Sequence, residues 1–153
     1  MEMYSRLKTI TVADVEKLEE QLGTKLPNEY KHFLLSTSGG QPLNNVFRKF
    51  ESEKVIQEFP VDIFFGIDDN EIAGDIFSNR AVFSDRIPSD LLTIGSDGIG
   101  NMICIGIGSD NNGKIYIWYD KERELNEPIL YRDIKLIAKD FSDFANSLGA
   151  ENE

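Results

Sequence analysis

The chain has 153 residues, with 27 acidic against 16 basic side chains, a formal net charge of −11, and 41% apolar and 28% charged residues. That length and mixture predict a single domain over residues 1–153, of ordinary soluble globular composition and large enough for a hydrophobic core. The charge excludes a general affinity for nucleic acid or anionic lipid, which need a positive footprint, and favours a basic partner. No run approaches the ~20 apolar residues of a membrane span. The opening MEMYSRLKTI lacks the apolar core of a signal peptide, so the cytoplasm is the expected location.

Thr11–Leu22 reads as an amphipathic helix, with Val15, Leu18 and Leu22 on one face and Glu16, Lys17, Glu19 and Glu20 on a wet one. Thr11 is its N-cap with Asp14 standing in for the capping-box Glu, and Gly23 follows its end. Leu26-Pro27-Asn28-Glu29-Tyr30 starts a second helix that buries Tyr30, Phe33 and Leu34 and stops at Gly39-Gly40. His32 sits off that stripe. Val46–Phe50 fits a short strand or a loop, whereas Phe59–Ile67 reads as an aromatic strand bent at Gly66. Ile72–Asn79 is a short helical segment led by carboxylates.

Leu92–Ile94 is a short strand after the turn at Pro88. Met102–Ile107 and Lys114–Tyr119 are β-branched and aromatic runs joined by turn residues Gly108–Gly113, which predicts a hairpin. Both faces of the first run are apolar or small, as in a central strand covered on both sides. Ile134, Ile137, Phe141, Phe144 and Leu148 recur at helical spacing, so Asp133–Leu148 reads as a helix stopped by Gly149. Helices, four to six strands and no repeat or linker give an α+β fold, a mainly antiparallel central sheet packed by two N-terminal helices and a C-terminal helix.

Catalytic chemistry finds little support. Gly95–Asn101 lacks the third glycine of a dinucleotide loop and the Lys-Ser/Thr of a P-loop, and a strand follows instead of a helix. Its aspartates lack EF-hand spacing. The turn Asp97–Asn101 is therefore expected to be structural. Cys104 is the only cysteine and His32 the only histidine, which excludes Cys/His metal sites and an internal disulfide. No catalytic, cofactor-binding or metal residue is assigned, and no cofactor is expected. Between Val55 and Asn79 stand Glu58, Asp62, Asp68, Asp69, Glu71 and Asp75 with no Lys or Arg. A solvated face or a weak magnesium site is open there. Asp68, Asp69, Glu71 and Asp75 are the candidate partner-binding residues, because clustered carboxylates steer a basic protein by long-range attraction.

The motif order resembles a known family. Leu26-Pro27-Asn28-Glu29-Tyr30-Lys31 followed by Ser38-Gly39-Gly40 is similar to the N-terminal helices of the SUKH superfamily, which includes the Smi/Knr cell-wall regulators of fungi. Phe65-Gly66-Ile67, Ile87-Pro88-x-x-Leu91-Leu92-x-Ile94-Gly95, Asp97-Gly98-x-Gly100-Asn101 and Gly113-x-Ile115-Tyr116-x-Trp118 resemble its central signature in order. Ile137-Ala138-x-x-Phe141-x-x-Phe144 is similar to its closing helix. Tyr119-Asp120-Lys121-Glu122 departs from the Asp-His-Glu-like end that members often carry after the tryptophan. The resemblance implies an α+β fold. For bacterial members it implies immunity to a polymorphic secreted toxin, often a nuclease, by binding and blocking the toxin domain without catalysis. The alternative it implies is a non-catalytic regulatory interaction module like the fungal members.

Overall fold

The computed structural model describes residues 1–120 and 133–151. In chain order the elements are β1 (Met3–Tyr4), α1 (Val12–Leu22), α2 (Asn28–Thr37), β2 (Gln41–Pro42), β3 (Val46–Glu51), β4 (Lys54–Pro60) and β5 (Ile63–Phe64). A 3-10 turn (Ile72–Gly74) and α3 (Ile76–Val82) precede β6 (Leu91–Ser96), β7 (Met102–Gly106), β8 (Ile115–Trp118), β9 (Ile134–Ala138), α4 (Phe141–Asn146) and β10 (Leu148–Gly149). The fold is α+β, and every paired strand is antiparallel to its neighbour. A five-stranded sheet runs β5-β6-β7-β8-β9, a three-stranded sheet β10-β3-β4, and β1 pairs with β2.

β7 is the middle strand, and all five of its residues are buried. The predicted hairpin forms, pairing Ile103 with Ile117 and Ile105 with Ile115. Directly opposed residues of antiparallel strands share a face. Leu92, Ile103, Ile105, Ile115 and Ile117 therefore lie on one face together with Phe64, which opposes Gly95. α2 and α4 cover that face: Phe33 stacks edge-on against Phe64 at 4.9 Å and lies 4.7 Å from Phe141. Leu91, Thr93, Met102, Cys104 and Trp118 form the other face, which Phe83 covers after α3, its ring 5.6 Å from Trp118.

The local helix signals form as written. Thr11 and Asp14 make a reciprocal capping box, and Gly23 closes α1 at φ 71°. The Asp14 carboxyl is held below its ordinary range, chiefly by the hydrogen bond it accepts from the Thr11 backbone. Its share of α1 stability is therefore present above the ordinary carboxylate pKa and fades as pH falls through the lowered one. Glu19, expected on the wet face, is buried. Its Oε2 accepts from the Leu26 backbone N–H at 2.7 Å, and Lys31 Nζ lies 3.9 Å from Oε1, so it braces the turn between the helices.

Three expectations are corrected. Asp133–Leu148 is not one helix: Ile134–Ala138 is β9, α4 spans only Phe141–Asn146, and β10 follows. The run IKLIA suits either period. The free edge of β8 decides, because its backbone groups need partners and Ile134–Ala138 supply them opposite Trp118–Ile115. Asp140 then caps α4 by accepting from the Asp143 backbone N–H at 2.8 Å. Phe59–Ile67 is likewise no continuous strand. It is divided between the end of β4, the two-residue β5 and the bend at Gly66, while β4 itself begins at Lys54. Finally, Asp75 splits Ile72–Asn79 into the 3-10 turn and α3.

Tyr30 is fully buried between Phe33 and Phe141, and its hydroxyl finds no hydrogen-bond partner among the described residues. Desolvation pushes its ionisation well above the usual phenol range. Removing an unsatisfied buried hydroxyl while keeping the ring costs nothing in hydrogen bonds. Tyr30→Phe is therefore expected to leave stability unchanged or to raise it by up to about 1 kcal/mol in urea melts. A loss of stability in those melts contradicts the assignment of an unpaired hydroxyl.

Candidate functional site

The acidic turn lies between β5 and α3 and is fixed by backbone bonds before any side chain contributes. Gly66 N–H donates to the Gly74 carbonyl and Ile76 N–H to the Gly66 carbonyl, both at 2.8 Å, closing the segment into a compact loop. Asp75 caps α3: its Oδ2 accepts from the Ser78 backbone N–H and the Ser78 hydroxyl at 2.9 Å each. Its Oδ1 accepts from the Asp68 N–H at 2.9 Å. The Asp68 carboxylate takes the Lys8 N–H at 2.8 Å on one oxygen and the Asn70 N–H at 3.0 Å on the other.

The four candidate residues thus divide into two pairs. Asp68 is 6% exposed and Asp75 is 4%, and both carboxylates are spent on backbone donors. The sequence pattern marks all four alike as candidates on or near a docking face, and the structure turns these two inward as braces of the turn. The physical reason is the demand of nearby N–H groups that strand and helix bonding leave unpaired. Asp69 and Glu71 are exposed. Asp69 borders a groove of about 370 Å³ between this turn and α1, whose lining includes Lys8, Asp14, Lys17 and Phe77. The groove is therefore lined by carboxylates and by two exposed lysines, not by a uniformly negative patch.

Asp68→Ala is expected to cost about 1–3 kcal/mol in urea melts, since it leaves the Lys8 and Asn70 N–H groups without their acceptor. Asp69→Ala is expected to change stability by less than about 0.5 kcal/mol. Equal melting of the two variants contradicts this division of roles.

The turn at Asp97 is structural in its bonding. Asp97 is 5% exposed, and its carboxylate accepts from Ile99 N–H at 3.0 Å, Asn101 N–H at 3.1 Å and the Asn101 amide at 2.7 Å. Asn101 in turn accepts from the Asp120 N–H at 3.1 Å, tying the loop to the end of β8. Gly98 and Gly100 hold φ of 86° and 104°, the left-handed region that favours glycine. This arrangement leaves Ile99 outside at 79% exposure, which the alternation of residue types did not announce.

Cys104 is fully buried, and desolvation pushes its thiol far above the ordinary range, the opposite of what a nucleophile needs. His32 is exposed on α2. Among the described residues no group of three or more His, Cys, Asp or Glu is placed to hold a metal ion. Among them, too, no helix is long and apolar enough to cross a membrane.

The chain is similar to two known proteins. The chain is 29% identical to the SPbeta prophage-derived uncharacterized protein YokK of Bacillus subtilis (strain 168), over 90% of this chain and 74% of that protein. It superposes on the crystal structure of a protein from Pseudomonas syringae pv. tomato with a TM-score of 0.51 at 18% identity, covering 78% of this chain and 74% of that one, a likeness of fold. The resembled motifs also meet in space: Gly40, after α2, exchanges backbone hydrogen bonds of 2.9 and 2.8 Å with Phe64, beside Phe65-Gly66-Ile67. Residues 9–147 match the SMI1/KNR4 family (SUKH-1), and the chain belongs to that family, whose domains typically bind partner proteins.

Proposed function

We propose that this protein is an immunity protein that binds and neutralises a cognate secreted toxin domain, a nuclease being the leading class, in the cytoplasm and without catalysis. Membership of the SUKH-1 family across residues 9–147 is the observation that carries the reading. The net charge of −11 supports it, since a nuclease must present cationic groups to phosphates and an acidic surface can occupy that site or its rim. The buried thiol and the isolated, exposed His32 add no nucleophile–base pair. Similarity to a protein described as prophage-derived fits a role in conflict between genetic elements.

In this reading the partner-binding residues are Asp69 and Glu71, with Asp68 and Asp75 holding the turn that presents them. The test is co-expression with the toxin domain encoded beside this gene, scored by cell survival, with association rates measured at two salt concentrations. The wild type is expected to protect. Asp69→Lys combined with Glu71→Lys is expected to slow association and flatten its salt dependence, at a cost of about 1–3 kcal/mol if the contacts are desolvated and much less at a wet rim. No protection by the wild type overturns immunity. Full protection with unchanged salt dependence in the double variant keeps immunity and moves the interface away from this turn.

A further inference from the structure

The ribbon formed by β1 and β2 is flanked by two grooves that share it as a wall. One, of about 380 Å³, is lined by Tyr4, Arg6, Ile63 and Glu71 of the acidic turn, among others. The other, of about 310 Å³, is lined by Tyr4, Pro42, Leu43 and Asp62, among others. Tyr4 therefore stands between the acidic turn and a second exposed carboxylate, Asp62. Within β1, Met3 packs against the core while Tyr4 is 52% exposed, and Leu43 beside it in the second groove is 59% exposed. The Tyr4 ring is held in place all the same. Its backbone pairs with Gln41, and its carbonyl oxygen lies 2.6 Å from the Cβ position at Gly40, so the chain packs closely there. Its hydroxyl accepts from Arg6 Nε at 2.7 Å, and the guanidinium carbon lies 5.6 Å from the ring centroid.

An exposed aromatic ring already fixed in one place loses little freedom when a partner covers it, and Tyr and Arg are among the residues that dominate interface energies. Exposed carboxylates act differently: they steer encounter at long range and add little affinity at a wet rim. Arg6 is folded back onto Tyr4, which leaves Glu71 in one groove and Asp62 in the other as outward negative charges. Carboxylates on both sides of an apolar centre fit a basic protein surface that sets an apolar group between its cations. A free cation or a polyamine would have no use for that centre. We propose that Tyr4 is the apolar anchor of the toxin-docking face, which runs from Glu71 across the β1–β2 ribbon to Leu43 and Asp62, and that it supplies more of the affinity than the carboxylates do. This rests on the immunity reading and extends its acidic turn to a face with an energetic centre.

The test is binding of the full chain to the toxin domain encoded beside this gene, itself inactivated by substitution, with association and dissociation rates read separately. Tyr4→Ala is expected to speed dissociation about tenfold or more with association nearly unchanged, and Tyr4→Phe, which keeps the ring, to retain most of the affinity. Asp62→Lys is expected to slow association and flatten its salt dependence. Phe50→Ala is the control, since Phe50 is 60% exposed on the β3–β4 hairpin and lines neither groove. Melting temperatures separate lost contact from lost fold. Leu43→Ala, which leaves the pairing of the ribbon alone, is expected to speed dissociation several-fold and decides the matter if Tyr4→Ala melts below the wild type. Wild-type dissociation in a stably folded Tyr4→Ala, or in Leu43→Ala where it decides, overturns the anchor and leaves the immunity reading standing. An equal loss in Phe50→Ala overturns it as well, because the effect is then not particular to this face. No binding by the wild type overturns both readings.

Discussion

Gly66→Val is expected to destabilise the protein by about 3 kcal/mol or more, lowering the melting temperature by about 6–12 °C for a chain of this size. A Cβ at Gly66 would sit 2.5 Å from the Ser38 carbonyl oxygen and 3.1 Å from the Leu7 side chain. The carbonyl cannot retreat cheaply. The Ser38 hydroxyl accepts the Ile10 N–H at 2.9 Å, and Gly40 and Phe64 exchange backbone hydrogen bonds that hold the two segments together. Gly39 faces the same contact, its own Cβ position lying 2.9 Å from Gly66 N. Gly23→Ala serves as the control, because that site has open space around it and only a positive φ to strain, at a cost of about 1–2 kcal/mol. Thermal melts of the two variants separate the close approach from the backbone conformation. Wild-type melting of Gly66→Val removes the contact from the account of the fold.

Phe144→Ala is expected to cost about 3–5 kcal/mol. Phe144 is fully buried and stands where the two larger sheets meet. Its ring lies 5.2 Å from Phe47 of β3, 6.1 Å from Phe64 of β5 and 6.2 Å from Phe141 within α4. Truncation would leave a cavity walled by aromatic rings, which relax poorly around missing atoms. Amide exchange gives the sharper measurement. Protection in β3 and β10 is expected to fall further than in β6–β8, because the three-stranded sheet depends on this aromatic junction while β7 has neighbours on both sides. Uniform loss of protection across both sheets contradicts that dependence.

The resemblance read from ordered motifs is upheld by the family match, and the physical basis of two motifs is now visible. Ser38-Gly39-Gly40 and Phe65-Gly66-Ile67 are separate pieces in the sequence and one packed contact in the fold, with glycines where two backbones approach. The acidic stretch was legible as composition only. Charge counting marks Asp68, Asp69, Glu71 and Asp75 alike, and it carries no information about which carboxylates a distant N–H group will claim.

The sequence alone determined what depends on neighbours within a turn or on residue character. The Thr11–Asp14 capping box, the Gly23 stop of α1, the buried stripe of α2 and the two-sided burial of β7 belong to this class, since each forms from side chains three or four residues apart or from an unbroken apolar run. Only the tertiary structure decided the rest. Ile134–Ala138 became a strand because the edge of β8 needed pairing, and no property of those five residues outweighs that demand. Asp68 turned inward to meet an N–H sixty residues earlier in the chain. Which carboxylate is claimed in this way depends on the backbone groups that packing between distant elements leaves unpaired, and no local pattern records that.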